Sequence, residues 1–209
     1  MDQTVDKESG WRGSREGWLQ AAYDALIEGG PDAVKILPLA NRLKLSRTSF
    51  YWFFKDREAL LAGLRALWHT ATTEPLMQAA EAYAETETEA MLNLLACFLS
   101  GRFDARLEFA MRSWGLADPA MAEALHAADA ARLEALGGLL RRWGHEAGDA
   151  DVRARTIYLV QIGYISMQTE EALETRLARI PNYVEIYTGR RPTASELARF
   201  EARLRGGGT

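Results

Sequence analysis

Apolar residues recur at intervals of three and four along nearly the whole chain, and no stretch alternates apolar with polar as a half-buried strand would. Such a sequence buries its apolar side chains on one face of helix after helix, which predicts an all-α fold. Trp18, Ala22, Ala25, Leu26 and Gly29 mark a first helix, stopped by Gly29, Gly30 and Pro31. Ile36, Leu39, Ala40 and Leu43 mark a short second one. Ser46 can cap a third helix. Asp56 can cap a fourth, with the stripe Leu60, Leu61, Leu64, Leu67 and Trp68. Longer helices are expected over 57–84, 88–99, 101–115, 118–144, 149–168, 170–189 and 193–204. Asp118 caps one of them with Pro119 at its first position, and Pro181 should kink or split another.

The charge is uneven along the chain. From Arg12 to Arg57 there are eight basic residues against five acidic ones, and the rest of the chain after Arg57 has 16 basic against 21 acidic. All four lysines, Lys7, Lys35, Lys44 and Lys55, fall before residue 58, so a basic head precedes an acidic body. The single cysteine, Cys97, lies in an apolar run and reads as a buried thiol. The sequence shows no secretory leader pattern and no apolar run of membrane-spanning length, so a cytoplasmic protein is expected.

Within the basic head, the segment Leu39–Leu60 places Phe50, Tyr51, Trp52, Phe53 and Phe54 in a row. At about 100° per residue, Phe50 and Phe54 face the first helix as core. Thr48 and Trp52 point the other way, Ser49 and Tyr51 flank them, and Phe53 lies near the core edge. Ala40 is small enough for a close helix crossing, and Leu45 in the turn can plug the gap between the second and third helices. This is the pattern of a helix-turn-helix. From Trp18 to Leu61 the stretch resembles the DNA-binding domain of the tetracycline-repressor (TetR) family of bacterial regulators. The resemblance rests on "LANRL", the turn, Ser46 and "FYWFFKDREALL".

That resemblance implies that the third helix enters the major groove of double-stranded DNA. Residues after Ser46, namely Arg47, Thr48 and Ser49, would read bases, joined by Trp52 on the same outer side. Tyr51 falls on the family's phosphate-contacting tyrosine, and Arg57 on its usual lysine at the start of helix four. Three positions depart from the family pattern. Lys35 stands where a Ser or Thr cap is usual but can reach a phosphate. Lys44 replaces a turn glycine and would have to adopt a left-handed backbone. Phe53 stands where histidine is frequent. The expected organisation is a flexible tail over 1–13, a helix-turn-helix head over 14–58, a helical effector-binding and dimerisation domain over 59–205, and a tail over 206–209.

For the larger domain, the resemblance implies a homodimer through the C-terminal helices, a partly palindromic operator and a small-molecule effector that releases a repressor from DNA. Candidate effector-pocket residues are Trp68, Phe98, Phe109, Trp114, Met121, His126, Tyr158 and Gln161, although aromatics at helical spacing also make ordinary core. Residues 152–168 and 171–187 are the expected dimer helices. Asp129 and Arg132 read as a surface pair three residues apart. No cofactor or metal is expected, and no catalytic motif is present: His69, His126 and His145 lack ligand spacing, and no Gly-rich phosphate loop or nucleophile elbow occurs. The alternatives to an effector-released repressor are a ligand-free regulator and an all-helical protein-interaction module, with an enzyme further off.

Overall fold

The computed structural model describes residues 13–206, so most of both expected tails lies outside the described residues. The described chain is helical and contains no strand. Eleven α-helices follow one another in it: α1 (Arg15–Gly29), α2 (Ile36–Leu43), α3 (Arg47–Phe50), α4 (Arg57–Trp68), α5 (Glu74–Glu81), α6 (Glu87–Leu99), α7 (Ala105–Gly115), α8 (Pro119–Arg142), α9 (Ala147–Ser166), α10 (Leu173–Thr188) and α11 (Ala194–Gly206). They form two compact units, the first ending at Ala66 and the second beginning at Leu67. Among the described residues no helix is long and apolar enough to cross a membrane.

Local chemistry sets the helix starts. Ser14, Ser46, Asp56, Thr86, Asp104 and Asp118 each accept a bond from a backbone N–H two or three residues on, satisfying a donor that has no partner inside its helix. Helix α10 is not split at Pro181, contrary to the sequence expectation. Its buried residues Ile180, Val184 and Tyr187 lie on both sides of the proline and pack it against α6 and α9, and that packing outweighs the one lost helical bond. In its last turn, Arg153 of α9 donates to the Tyr187 carbonyl at 3.0 Å, covering a carbonyl that the helix leaves unpaired.

The long helix expected over 57–84 is interrupted by a π turn over His69–Thr73. The Glu74 N–H reaches back five residues to the His69 carbonyl. Pro75 has no N–H to give the Ala71 carbonyl, and the Asp104 N–H takes that place at 2.9 Å. The extra residue in the turn brings Thr72 and Thr73 side by side into the interior, where both are buried.

Those two hydroxyls receive Arg132, whose Nε donates to Thr73 Oγ1 at 3.0 Å and Nη2 to Thr72 Oγ1 at 2.8 Å. The same guanidinium forks onto Glu108 at 2.9 and 3.1 Å and donates to the Tyr158 hydroxyl at 2.9 Å. Glu108 also accepts from the Trp68 indole at 2.6 Å, and Arg112 lies 2.8 Å from it while bonding Asp129 at 2.6 Å. Arg132 and Glu108 are both fully buried. The expected pair of Asp129 and Arg132 forms, at 3.8 Å, but its placement at the surface is corrected, since Arg132 is buried. Arg132 falls on the same stripe of α8 as Leu125, Ala128, Leu136 and Leu139, and that stripe faces the interior of the larger unit.

A buried ion pair stripped of one partner leaves an uncompensated charge, at a cost of about 3–5 kcal/mol. Arg132→Met and Glu108→Leu are each expected to destabilise the larger unit by that amount in denaturant titrations. The double variant should lose distinctly less than the sum, because it leaves neither charge behind. An additive double variant would show that the two groups act independently.

Candidate nucleic-acid interface

The smaller unit presents α2 and α3 in a tight helix-turn-helix. Helix α2 ends at Lys44, whose φ of 56° and ψ of 39° lie in the left-handed region. The Leu45 N–H bonds the Ala40 carbonyl at 2.9 Å and the Lys44 N–H bonds Asn41 at 3.1 Å, closing the helix as a Schellman motif. A lysine in this conformation costs about 1 kcal/mol relative to glycine. Its ammonium is exposed and forms no ion pair among the described residues. Pro38 sits in the first turn of α2, where its missing N–H has no helical partner.

Helix α3 has one regular turn. After it the N–H groups of Tyr51, Trp52 and Phe53 each bond the carbonyl three residues back, which tightens the chain. The aromatic run divides as helix geometry requires. Phe50 and Phe54 are buried. Phe50 meets Trp18 of α1 edge-on at 5.3 Å and Phe54 nearly parallel at 5.5 Å, and the Arg15 guanidinium lies 5.1 Å above the Phe54 ring. Trp52 is 66% exposed and Tyr51 48% exposed, on the outer side with Arg47 and Thr48. One Arg47 Nη donates to the Tyr51 hydroxyl at 3.3 Å, so the two side chains stand together one turn apart.

Two residues of the expected set lie elsewhere. Ser49 is a correction: it is 5% exposed, and its hydroxyl donates inward to the Ser46 carbonyl at 2.6 Å, so it does not face outward as a base reader would. It sits in the turn where α3 meets α2, and that packing absorbs it. Arg57 also differs from its expectation. Its Nε donates to the Val34 carbonyl at 2.7 Å and one Nη to the Pro31 carbonyl at 2.5 Å. The guanidinium thus clamps the short 3-10 turn Pro31–Ala33 that leads into α2.

The outward cations are Lys35, at the N-cap position of α2 without a capping side-chain bond, then Lys44 and Arg47. Lys55 belongs with them: it is exposed, and it forms no ion pair among the described residues. Sequence reading passes over it because it lies between the aromatic core and the Asp56 cap. Arg42 is not available in the same way, since it forks onto Glu28 at 2.7 and 2.9 Å.

In the larger unit the eight candidate pocket residues take different places among the described residues. Trp68 donates to Glu108, Trp114 donates to Asp118 at 2.9 Å, and the Tyr158 hydroxyl lies within the Arg132 network. Met121 is core, Phe98 is half-buried against Phe103 at 4.8 Å, Phe109 is half-buried, and His126 is exposed. Gln161 lines a crevice formed with residues of α6, α9 and α10. No cluster of three potential metal ligands occurs among the described residues.

Residues 19–64 match the family model of bacterial regulatory proteins, tetR family. Among solved structures, a transcriptional regulator from Rhodococcus sp. Rha1 is similar with a TM-score of 0.58 at 17% identity, over 93% of this chain and 97% of that one. Salmonella enterica GusR is similar with a TM-score of 0.57 at 15% identity, over 92% and 93%. The TetR family transcriptional regulator PfmR from Thermus thermophilus has a TM-score of 0.56 at 18% identity, over 90% and 97%. At these identities the likeness is one of fold. No curated protein matches the chain.

The packing predicts how the head responds to substitution. Phe50→Ala and Phe54→Ala should each cost about 3–5 kcal/mol, because the rings fill core. Trp52→Ala should stay within about 0.5 kcal/mol. Arg57→Ala should cost about 1–3 kcal/mol through its two lost charged hydrogen bonds. Thermal melts of the four variants test the assignment, which fails if Trp52→Ala melts as early as Phe54→Ala.

Proposed function

We propose that the chain, whose residues 19–64 match the family model of bacterial regulatory proteins, tetR family, is a sequence-specific DNA-binding transcription regulator that acts as a homodimer. One observation carries this reading. The turn-bounded α3 shows solvent Arg47, Thr48, Tyr51 and Trp52, flanked by the exposed cations Lys35, Lys44 and Lys55, which form no ion pair among the described residues, while its other side is locked into core by Phe50 and Phe54. An exposed Trp flanked by cations is costly for solubility and suited to a groove wall with phosphates on either side. In this reading Arg47, Thr48 and Trp52 read the major groove. Lys35, Lys44, Lys55 and Tyr51 hold phosphate, and Ser46 and Arg57 position the elements that carry them. Regulation is by repression, relieved when a small molecule binds the larger unit.

The dimer reading rests on α9 and α10. Beside their buried faces they expose Val152, Leu159, Met167 and Ile186, each more than 60% exposed. Large apolar side chains gathered on two successive helices favour a self-complementary interface. Two heads about one two-fold axis would bind half-sites about one helical turn or slightly more apart, on a partial palindrome.

Titration of the protein with its upstream intergenic DNA, in a mobility-shift assay, tests the main proposal. Absence of any shift at low salt would remove it. Arg47→Ala is expected to weaken operator binding by about 1–3 kcal/mol and to relax preference at one base pair. Lys44→Ala should weaken all sequences alike and lower the slope of log K against log salt by about 0.9. A change in base preference from Lys44→Ala would overturn the division of roles.

Sedimentation tests the dimer separately. The wild type should run as a dimer at micromolar concentration, and Leu159→Glu combined with Ile186→Glu should run as a folded monomer with much weaker operator binding. A wild-type monomer, with and without DNA, would refute the interface.

A further inference from the structure

His145 is placed by the way α8 ends. Gly144, at a φ of 94°, turns the chain in the left-handed region, where a side chain would be strained. The Gly144 N–H bonds the Arg141 carbonyl at 3.0 Å, and the His145 N–H reaches back to the Leu140 carbonyl at 3.2 Å, which closes the helix. The imidazole, largely buried, is then held between two carboxylates. Its Nε2 lies 2.5 Å from Glu87 in the first turn of α6, and its Nδ1 lies 2.8 Å from Asp149 in the first turn of α9. One ring therefore ties the α8–α9 turn to the start of a helix 58 residues earlier in the chain.

Both ring nitrogens thus face groups that only accept. A neutral imidazole carries one N–H and one lone pair and can serve one carboxylate, whereas the imidazolium carries two N–H groups and serves both. Burial of the ring disfavours its charge, but the bonds to Glu87 and Asp149 and the charge of Glu87 outweigh both burial and repulsion from Arg153 of α9. The pKa of His145 is raised in consequence. The two carboxylates are not equivalent. Asp149 is exposed and also accepts from the Arg153 Nε at 2.7 Å. Glu87 is buried, and besides His145 its cationic neighbour among the described residues is Arg190, after α10, whose Nε on an exposed side chain lies 3.8 Å away.

We propose that His145 is a proton-controlled clasp within the larger unit: charged, it joins α6 to the α8–α9 turn through both ring nitrogens, and on losing a proton it keeps Glu87 through Nε2–H and releases Asp149. The proton leaves from Nδ1 to water, because Asp149 retains Arg153 and solvent while Glu87 has no comparable replacement. The tie to α6 then falls from an ion pair to the hydrogen bond of a neutral donor, and the buried carboxylate loses its nearest counter-charge. A histidine with a raised folded-state pKa lends its stability in full below the ordinary value of about 6.5, and that stability is lost as pH rises through the raised value. The larger unit is thereby weakened at this site in mildly alkaline solution. The clasp goes beyond the regulator reading and does not depend on it.

Nitrogen NMR of the imidazole rings in the full, isotopically labelled chain tests the clasp. The His145 signals are those lost in His145→Gln; should that variant not fold, His69→Gln and His126→Gln, both at exposed positions, assign them by elimination. In the wild type His145 is expected to titrate above the ordinary value of about 6.5. Its neutral form should carry the proton on Nε2. Titration at or below the ordinary value would overturn the clasp, since the carboxylates would then not hold the proton. A neutral form protonated on Nδ1 would overturn it equally, because Glu87 would be the group released. Asp149→Asn should lower the midpoint of the His145 titration and leave the Nε2–H form in place, whereas a ring that merely fills space would keep its midpoint. Thermal melts give the second readout. From about pH 6 to about pH 9 the wild type should lose about 2–4 °C more than His145→Gln, whose amide does not titrate. Equal losses in the two proteins would remove the proposal.

Discussion

The larger unit is organised around a charge that water cannot reach. Glu108 on α7 is held from three sides, by the Arg132 fork from α8, the Trp68 indole from the end of α4 and Arg112 from its own helix. A carboxylate in such a place is tolerated only if its lone pairs are filled and its charge is matched. Much of the local architecture follows from that requirement. The π turn over His69–Thr73 holds the two hydroxyls that receive the remaining donors of Arg132. Pro75 lowers the cost of the irregularity, since the bond it omits is made by Asp104 instead.

The same network bears on where a ligand could bind. An aromatic-rich helical domain suggests a pocket among Trp68, Trp114 and Tyr158, but here their polar atoms are already bonded within the protein. A ligand there would have to displace charge-assisted bonds.

In the head a comparable division separates residues that build from residues that face out. Arg57 and Ser49 have the chemistry of DNA contacts, yet their donors are engaged with backbone carbonyls of neighbouring turns. They hold the geometry in which Arg47, Thr48 and Trp52 are shown to solvent. Lys44 shows the reverse arrangement: its backbone is strained in the left-handed region while its side chain is exposed to solvent. A glycine would close this turn with less strain but would present no charge.

By itself the sequence determined the helical class, most helix starts, the burial of Phe50 and Phe54 and the exposure of Trp52. Each of these depends on periodicity, capping chemistry or turn residues within a few positions. The stripe Leu125, Ala128, Arg132, Leu136 and Leu139 is legible too, and it marks Arg132 as interior, although a charged residue by itself reads as surface. Only the tertiary structure decided what Arg132 would pair with, since Thr72, Glu108 and Tyr158 lie 60, 24 and 26 residues away. It also decided that Arg57 would clamp carbonyls 23 and 26 residues back. Hydrogen bonds between distant segments depend on which helix faces meet, and local sequence carries the faces but not their meeting.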